Sequence, residues 1–167
     1  MQEPVSELEY VQIDGLDELE PEWINEPVAP YMAGGGDYTI WENNVHERIK
    51  REPIWQFHGY RKALFAYDLV WEDCQRLSGD IRGKAIAQQL IRSSGSIGAN
   101  LEEGHGRGYG KQRDWFFKAA IGSARETKGW YWRAHCLLSP ETLNARLTLM
   151  DEIIGALISE LQKQASR

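Results

Sequence analysis

Arg107, Lys111 and Arg113 lie in one short stretch, with Tyr109 and Trp115 interleaved and glycine at positions 104, 106, 108 and 110. Cations suit phosphate oxygens, aromatic faces suit unstacked bases, and glycines let a backbone follow a strand. The stretch is therefore a candidate contact for RNA or single-stranded nucleic acid. Arg82 and Lys84 are further candidate contacts, and Arg125, Lys128 and Arg133 could extend the surface. The competing reading is a solvated basic face, because strong polyanion binders usually carry more charge.

A phosphate-binding loop fails on spacing. A P-loop requires GxxxxGK[ST], but the residue five before Gly110 is His105 and the residue after Lys111 is Gln112. A dinucleotide fingerprint requires a preceding strand and GxGxxG, whereas Gly104, Gly106, Gly108 and Gly110 alternate strictly and follow a helical pattern. Such glycines read more simply as a helix end and a flexible corner.

No nucleophile with an evident base is visible, and His46, His58, His105 and His135 carry no HExxH or Ser/His/Asp signature. Glu102 and Glu103 are adjacent and point apart on a helix, a poor arrangement for a glycosidase acid pair. Cys74 and Cys136 form neither a CxxC pair nor a cluster at metal spacing, so reduced thiols are expected. The expectation is a protein without catalytic residues, metal or other cofactor. With no signal-like N-terminus and no apolar run of spanning length, no membrane association is expected and the chain reads as cytoplasmic.

A second set of polar residues, Arg92, Ser96, Asn100 and Glu103, is spaced by 4, 4 and 3 and falls on one side of a helix. A buried hydrogen-bond network, a subunit contact and a ligand-facing strip all fit this row. A satisfied structural row is favoured, because buried polar groups are normally paired. Ser93, Ser94, Gly95, Ser96, Gly98 and Ala99 give the same helix a smooth face for a close neighbour, and Trp115, Phe116, Phe117 and Trp130 are candidate partners.

These residues need helices to position them. Phe57, Tyr60, Leu64, Tyr67, Trp71 and Cys74 recur at spacings of 3, 4, 3, 4 and 3, with Ala63, Phe65, Leu69 and Val70 as apolar flanks, predicting a helix apolar on more than one side that stops at Ser78-Gly79-Asp80. A second helix begins near Ile81 with Ile86, Leu90, Ile97 and Leu101 on one stripe and ends in the Gly104 to Gly110 stretch. A third runs from about Lys111 to Leu138, and Ser139-Pro140-Glu141 caps a fourth that carries Leu143, Leu147, Met150, Ile154, Leu157 and Leu161. The predicted fold is all-α, an antiparallel up-and-down four-helix bundle over residues 53–167.

Residues 1–52 carry thirteen acidic against three basic residues, while residues 53–167 carry twelve against sixteen. This first stretch, with Pro4, Pro21, Pro27, Pro30 and Gly34-Gly35-Gly36, is predicted to be an irregular acidic N-terminal extension. Its aromatic residues, among them Tyr10, Trp23, Tyr31, Tyr38 and Trp41, suit an arm that docks on a protein partner.

The segment Gln89 to Arg107, QLIRSSGSIGANLEEGHGR, resembles the second-helix signature of the four-helix bundle proteins named after the intervening sequences of bacterial 23S ribosomal RNA, which runs close to Q-[IL]-x-R-A-x-x-S-I-x-x-N-I-A-E-G-x-x-R. Gln89, Arg92, Ser96, Ile97, Asn100, Glu103, Gly104 and Arg107 fall on it in register. Phe116 to Glu126, FFKAAIGSARE, is similar to the family's F-[LI]-x-[IV]-A-x-G-S-x-x-E segment at Gly122, Ser123 and Glu126. The resemblance extends over residues 54 to about 162. It implies an up-and-down bundle, commonly a homopentamer, related to accessory variability proteins of diversity-generating retroelements that contact RNA and a reverse transcriptase. Ser93 and Glu102 stand where alanines are usual, and Gly98 where proline is frequent. The resulting expectation is a non-enzymatic homo-oligomer that binds RNA or single-stranded nucleic acid as an accessory to a reverse transcriptase. The alternative is a protein-interaction scaffold whose acidic arm docks on a protein partner.

Overall fold

The computed structural model describes residues 37–165, so most of the acidic extension, with Tyr10, Trp23 and Tyr31, lies outside the described residues. Those described are all-α: α1 (Tyr38–Asn44), α2 (Glu47–Lys50), a 3-10 turn (Pro53–Gln56), α3 (His58–Leu77), α4 (Ile81–Gly106), α5 (Lys111–Arg133) and α6 (Pro140–Ala165).

Local chemistry sets the helix boundaries. The Asp80 carboxylate accepts from the backbone N–H groups of Arg82 and Gly83 and so starts α4, while Asp37 does the same for Thr39 and Ile40 at α1. Ser139 Oγ accepts from Thr142 N at 3.1 Å, with Pro140 as the first residue of α6. Gly108 and Gly110 hold φ of 77° and 93°, in the left-handed region where only glycine is unstrained, and the chain thereby passes from α4 into α5 in a few residues. α5 ends at Arg133 rather than Leu138, because the backbone tightens into turns there: Leu137 N donates to Ala134 O at 2.8 Å.

Each long helix packs mainly on two others, α4 on α3 and α5, and α6 on α5 and α3. Ile97, Leu101, Phe117, Ala120, Ala124, Met150, Ile153 and Leu157 fill the space between them, and Val70, Leu77, Leu90 and Tyr131 continue it toward the α3–α4 turn. Fully burying a side chain of this size contributes about 1.5–3 kcal/mol, so this apolar column dominates the favourable side of folding.

The buried stripe of α3 differs from the predicted one. Ala63, Ala66, Val70, Asp73 and Leu77 are each no more than 1% exposed, whereas Trp71 is 49% exposed and Leu64 and Tyr67 are half-buried. The stripe sits one residue earlier than the apolar seam, a rotation of about 100°. On that side α3 meets α4, α5 and α6, with Asp73 bonded to Arg146 and Tyr131, while Trp41, 3% exposed, packs its ring 5.3 Å from that of Phe65 and covers a further side of α3. The extension was predicted to be irregular to residue 52, but its last part is mostly helical, and through Trp41 it belongs to the core.

Candidate functional site

The glycine corner between α4 and α5 presents Tyr109, 86% exposed, and Trp115, 63% exposed, beside the exposed Lys111. Arg107 is exposed but engaged: its Nε donates to Glu103 Oε1 at 2.8 Å, and its guanidinium carbon lies 5.7 Å from the centre of the Phe116 ring. The exposed pair leaves Arg107 able to exchange Glu103 for a phosphate, since surface ion pairs are worth about 1 kcal/mol or less.

Arg113 has a different environment. It is 7% exposed, has its guanidinium carbon 4.1 Å from the centre of the Phe117 ring, and donates through Nη2 to Glu160 at 3.1 Å. A guanidinium so placed and paired ties α5 to α6 rather than standing free at the surface.

Arg82 and Lys84 stand at the other end of α4. The 25 steps along the chain from Arg82 to Arg107 span roughly 37 Å at about 1.5 Å each. Both are exposed, and Arg82 donates through Nε and Nη2 to the two oxygens of Asp80, at 3.0 and 2.7 Å. The five candidate contacts thus form two separate groups, Arg107, Lys111 and Arg113 at one end of α4 and Arg82 with Lys84 at the other. Asp80, which accepts from the Arg82 side chain and from the helix start, is held well below the usual carboxylate range.

The polar row lies along one side of α4, and its bonds run mostly along the helix. Ser96 Oγ donates to Arg92 O at 2.9 Å and Asn100 Nδ2 to Ser96 O at 2.7 Å, while Glu103 accepts from Arg107. Only Arg92 leaves the helix, with Nη2 3.5 Å from Glu126 Oε1 on α5. Arg92 and Glu103 are exposed, while Ser96 and Asn100 are half-buried. Glu102, next to Glu103, points away to α3 and accepts from Tyr60 Oη at 2.8 Å.

The small face is divided between two neighbours. A Cβ on Gly95 would sit 3.2 Å from the Tyr67 ring and one on Gly98 3.6 Å from Leu64, both on α3. Only Gly104 meets the aromatic residues of α5, 3.0 Å from Phe116 Cβ and 3.1 Å from Phe117 Cδ2. The α4–α5 approach at mid-helix is instead made by two buried hydroxyls, Ser93 Oγ and Thr127 Oγ1, 2.9 Å apart.

A buried charge cluster was not legible in the motifs. Asp73, fully buried on α3, accepts from Arg146 Nε on α6 at 2.7 Å and from Tyr131 Oη on α5 at 2.9 Å. Burial, and then the Asp73 charge, push the Tyr131 phenol well up. Burial disfavours the Arg146 cation, but the Asp73 bonds outweigh it and raise its pKa. No sequence signal marked it, since Asp73 falls one residue off the apolar seam and joins the buried stripe only through the rotation of α3.

A family model for the 23S rRNA-intervening sequence protein matches residues 57–159, from the start of α3 through most of α6. The chain belongs to the 23S rRNA-intervening sequence protein family. No curated protein matches the chain, and no solved structure does. The family match takes in the corner, the polar row and the Asp73 cluster, while α1 and α2 precede it. Among the described residues no group of three or more His, Cys, Asp or Glu is placed to hold a metal ion, and no helix is long and apolar enough to cross a membrane.

Proposed function

We propose that this member of the 23S rRNA-intervening sequence protein family is a non-enzymatic homo-oligomer, built on an antiparallel up-and-down four-helix bundle, that binds RNA or single-stranded nucleic acid. The observation that carries the reading is the α4–α5 corner, where exposed Lys111 and Arg107 flank the exposed Tyr109 ring on a glycine-hinged turn. Aromatic faces there stack unpaired bases and the cations take the phosphates, a combination tolerant of sequence.

Mutual packing of α3 on α4, α4 on α5, α5 on α6 and α6 on α3 supports the bundle. Assembly is supported by exposed Trp71 and Trp132, large apolar surfaces that a lone chain leaves in water. The pentamer, and a role beside a reverse transcriptase, rest on analogy with the family.

Fluorescence anisotropy of a labelled single-stranded RNA against the full chain tests the binding. Affinity should fall steeply as salt rises, and Lys111→Ala with Arg107→Ala should weaken binding and flatten the salt slope by about two phosphate contacts. No binding at low salt, or binding indifferent to both substitutions, overturns the reading. Sedimentation at micromolar concentration tests the assembly, and a clean monomer overturns that part.

A further inference from the structure

Below the corner, the starts of α3 and α5, the end of α4 and the last turns of α6 enclose a cleft of about 940 Å³. That is ample for a small organic ligand. Its lining combines the half-buried Phe57, the exposed imidazoles of His58 and His105, the Tyr109 ring, Arg113 and Lys163. Two carboxylates also line it, and each is engaged by a cation: Glu152 accepts from Lys62 Nζ at 2.6 Å and Glu160 from Arg113 Nη2 at 3.1 Å. With those pairs neutralised, the exposed Lys163 ammonium gives the cleft a positive balance. Burial, and then the charges of Lys62 and Arg61, keep His58 neutral to lower pH than a free imidazole, in accord with a positive local field.

Arg113 adds a specific unmet demand. Its side chain is 8% exposed, and its Nη1 is closed off from solvent with no hydrogen-bond acceptor among the described residues. A buried unpaired donor is costly, and an anionic oxygen is its strongest partner. Tyr109, between Gly108 and Gly110, also lines the cleft and presents an exposed ring to a flat group. A phosphate demand at the wall and an aromatic face in the lining describe one ligand chemistry, a phosphate joined to a planar base.

We propose that this end cleft binds a single nucleotide, its phosphate held by Lys163 and by Arg113, whose Nη1 turns outward from its buried position to meet it, and its base laid against Tyr109 and the imidazoles of His58 and His105. The nucleotide is either free or the end of an unpaired strand; in the second case the proposal rests on the nucleic-acid reading above.

The experiment uses the full chain. Adenosine 5′-monophosphate, adenosine and inorganic phosphate are titrated by calorimetry and by NMR of the histidine ring protons, and a single-stranded RNA with and without a 5′-phosphate is titrated by anisotropy. Expected are binding of the monophosphate above either fragment, perturbation of the His58 and His105 rings, and a loss of roughly tenfold in the surface variant Lys163→Gln, the size of one charge-assisted contact. Arg113→Lys should lose at least as much, and Lys163→Gln keeps the test decisive if that variant folds poorly. Monophosphate binding without RNA binding upholds the cleft with a free nucleotide and overturns the strand reading. RNA binding that prefers the 5′-phosphate and weakens in Lys163→Gln upholds the strand end as the source. RNA binding lost in Lys111→Ala but unchanged in Lys163→Gln, with no response to the monophosphate, overturns the cleft and leaves the corner standing. Binding of neither probe overturns both.

Discussion

Arg146 Nε donates to Asp73 Oδ2 at 2.7 Å, joining α6 to α3 across 73 residues of chain inside the core. Arg146 Nη2 reaches the second oxygen at 3.3 Å, Tyr131 Oη donates to Oδ2, and Arg76 Nη1 stands 3.7 Å from Oδ1. Asp73→Ala leaves the Arg146 cation buried without its partner and should destabilise the fold by about 3–5 kcal/mol, read as a drop in the urea midpoint. Asp73→Ala combined with Arg146→Met should recover much of that loss. A double variant no better than the single one would show that packing, not the stranded charge, sets the cost.

Trp41 is held in the core by its ring contacts and by Nε1–H donation to Asp68 Oδ2 at 2.7 Å. Trp41→Ala should cost about 3–5 kcal/mol, although the residue lies outside the family match. Trp41→Phe should cost less and act through Asp68. Burial raises the Asp68 pKa and the Trp41 bond opposes that rise. Its folded value thus exceeds the unfolded one, so the linked stability is present in full below the unfolded pKa and lost as pH rises through the folded one. Without the indole bond the window should widen upward, a change visible in the urea midpoint as pH rises above the ordinary carboxylate range.

Glycines within the helices separate into two kinds. At Gly104 a Cβ would stand 3.0 Å from Phe116 Cβ, so Gly104→Ala should destabilise by about 1–3 kcal/mol through overpacking. At Gly122 nothing lies within 4 Å, and Gly122→Ala should stabilise the isolated chain by about 0.5–1 kcal/mol through helix propensity. Thermal melts at low concentration check both signs. A Gly122→Ala variant that loses stability only at assembling concentrations would place this open face in a subunit contact.

The two thiols should react differently. Cys74 is buried, and burial together with the neighbouring Asp73 charge pushes its pKa up to about 11, so it stays protonated at pH 8. Cys136 is exposed, with Sγ 3.1 Å from His135 Nε2. Iodoacetamide at pH 8 should label Cys136 alone in the folded chain and both cysteines in urea, as intact-mass spectrometry would record. Rapid native labelling of Cys74 would mean that the α3–α4 end opens readily.

Most helix positions were legible because the signals are local. Asp80, Ser139-Pro140 and the glycines at 108 and 110 each act on backbone within a few residues, and the starts of α4, α5 and α6 fall where those residues put them. The end of α5 was overrun because residues 134–138 keep helical residue types while the backbone tightens. Of the candidate site, the exposure of Lys111, Tyr109 and Trp115 follows from their place at a glycine turn. The fate of Arg113 does not, since a long side chain is directed by what stands opposite it, here Phe117 and Glu160.

Sequence alone determined where the long helices begin, the glycine corner that joins α4 to α5, and the family signature on α4, because caps, turn glycines and apolar periods work through neighbouring bonds. Only the tertiary structure decided which side of α3 is buried, that Arg82 and Lys84 stand at the opposite end from Arg107, and that Asp73 meets Arg146. Those outcomes depend on how each helix is rotated and against what it packs, and residues dozens of positions away set that rotation.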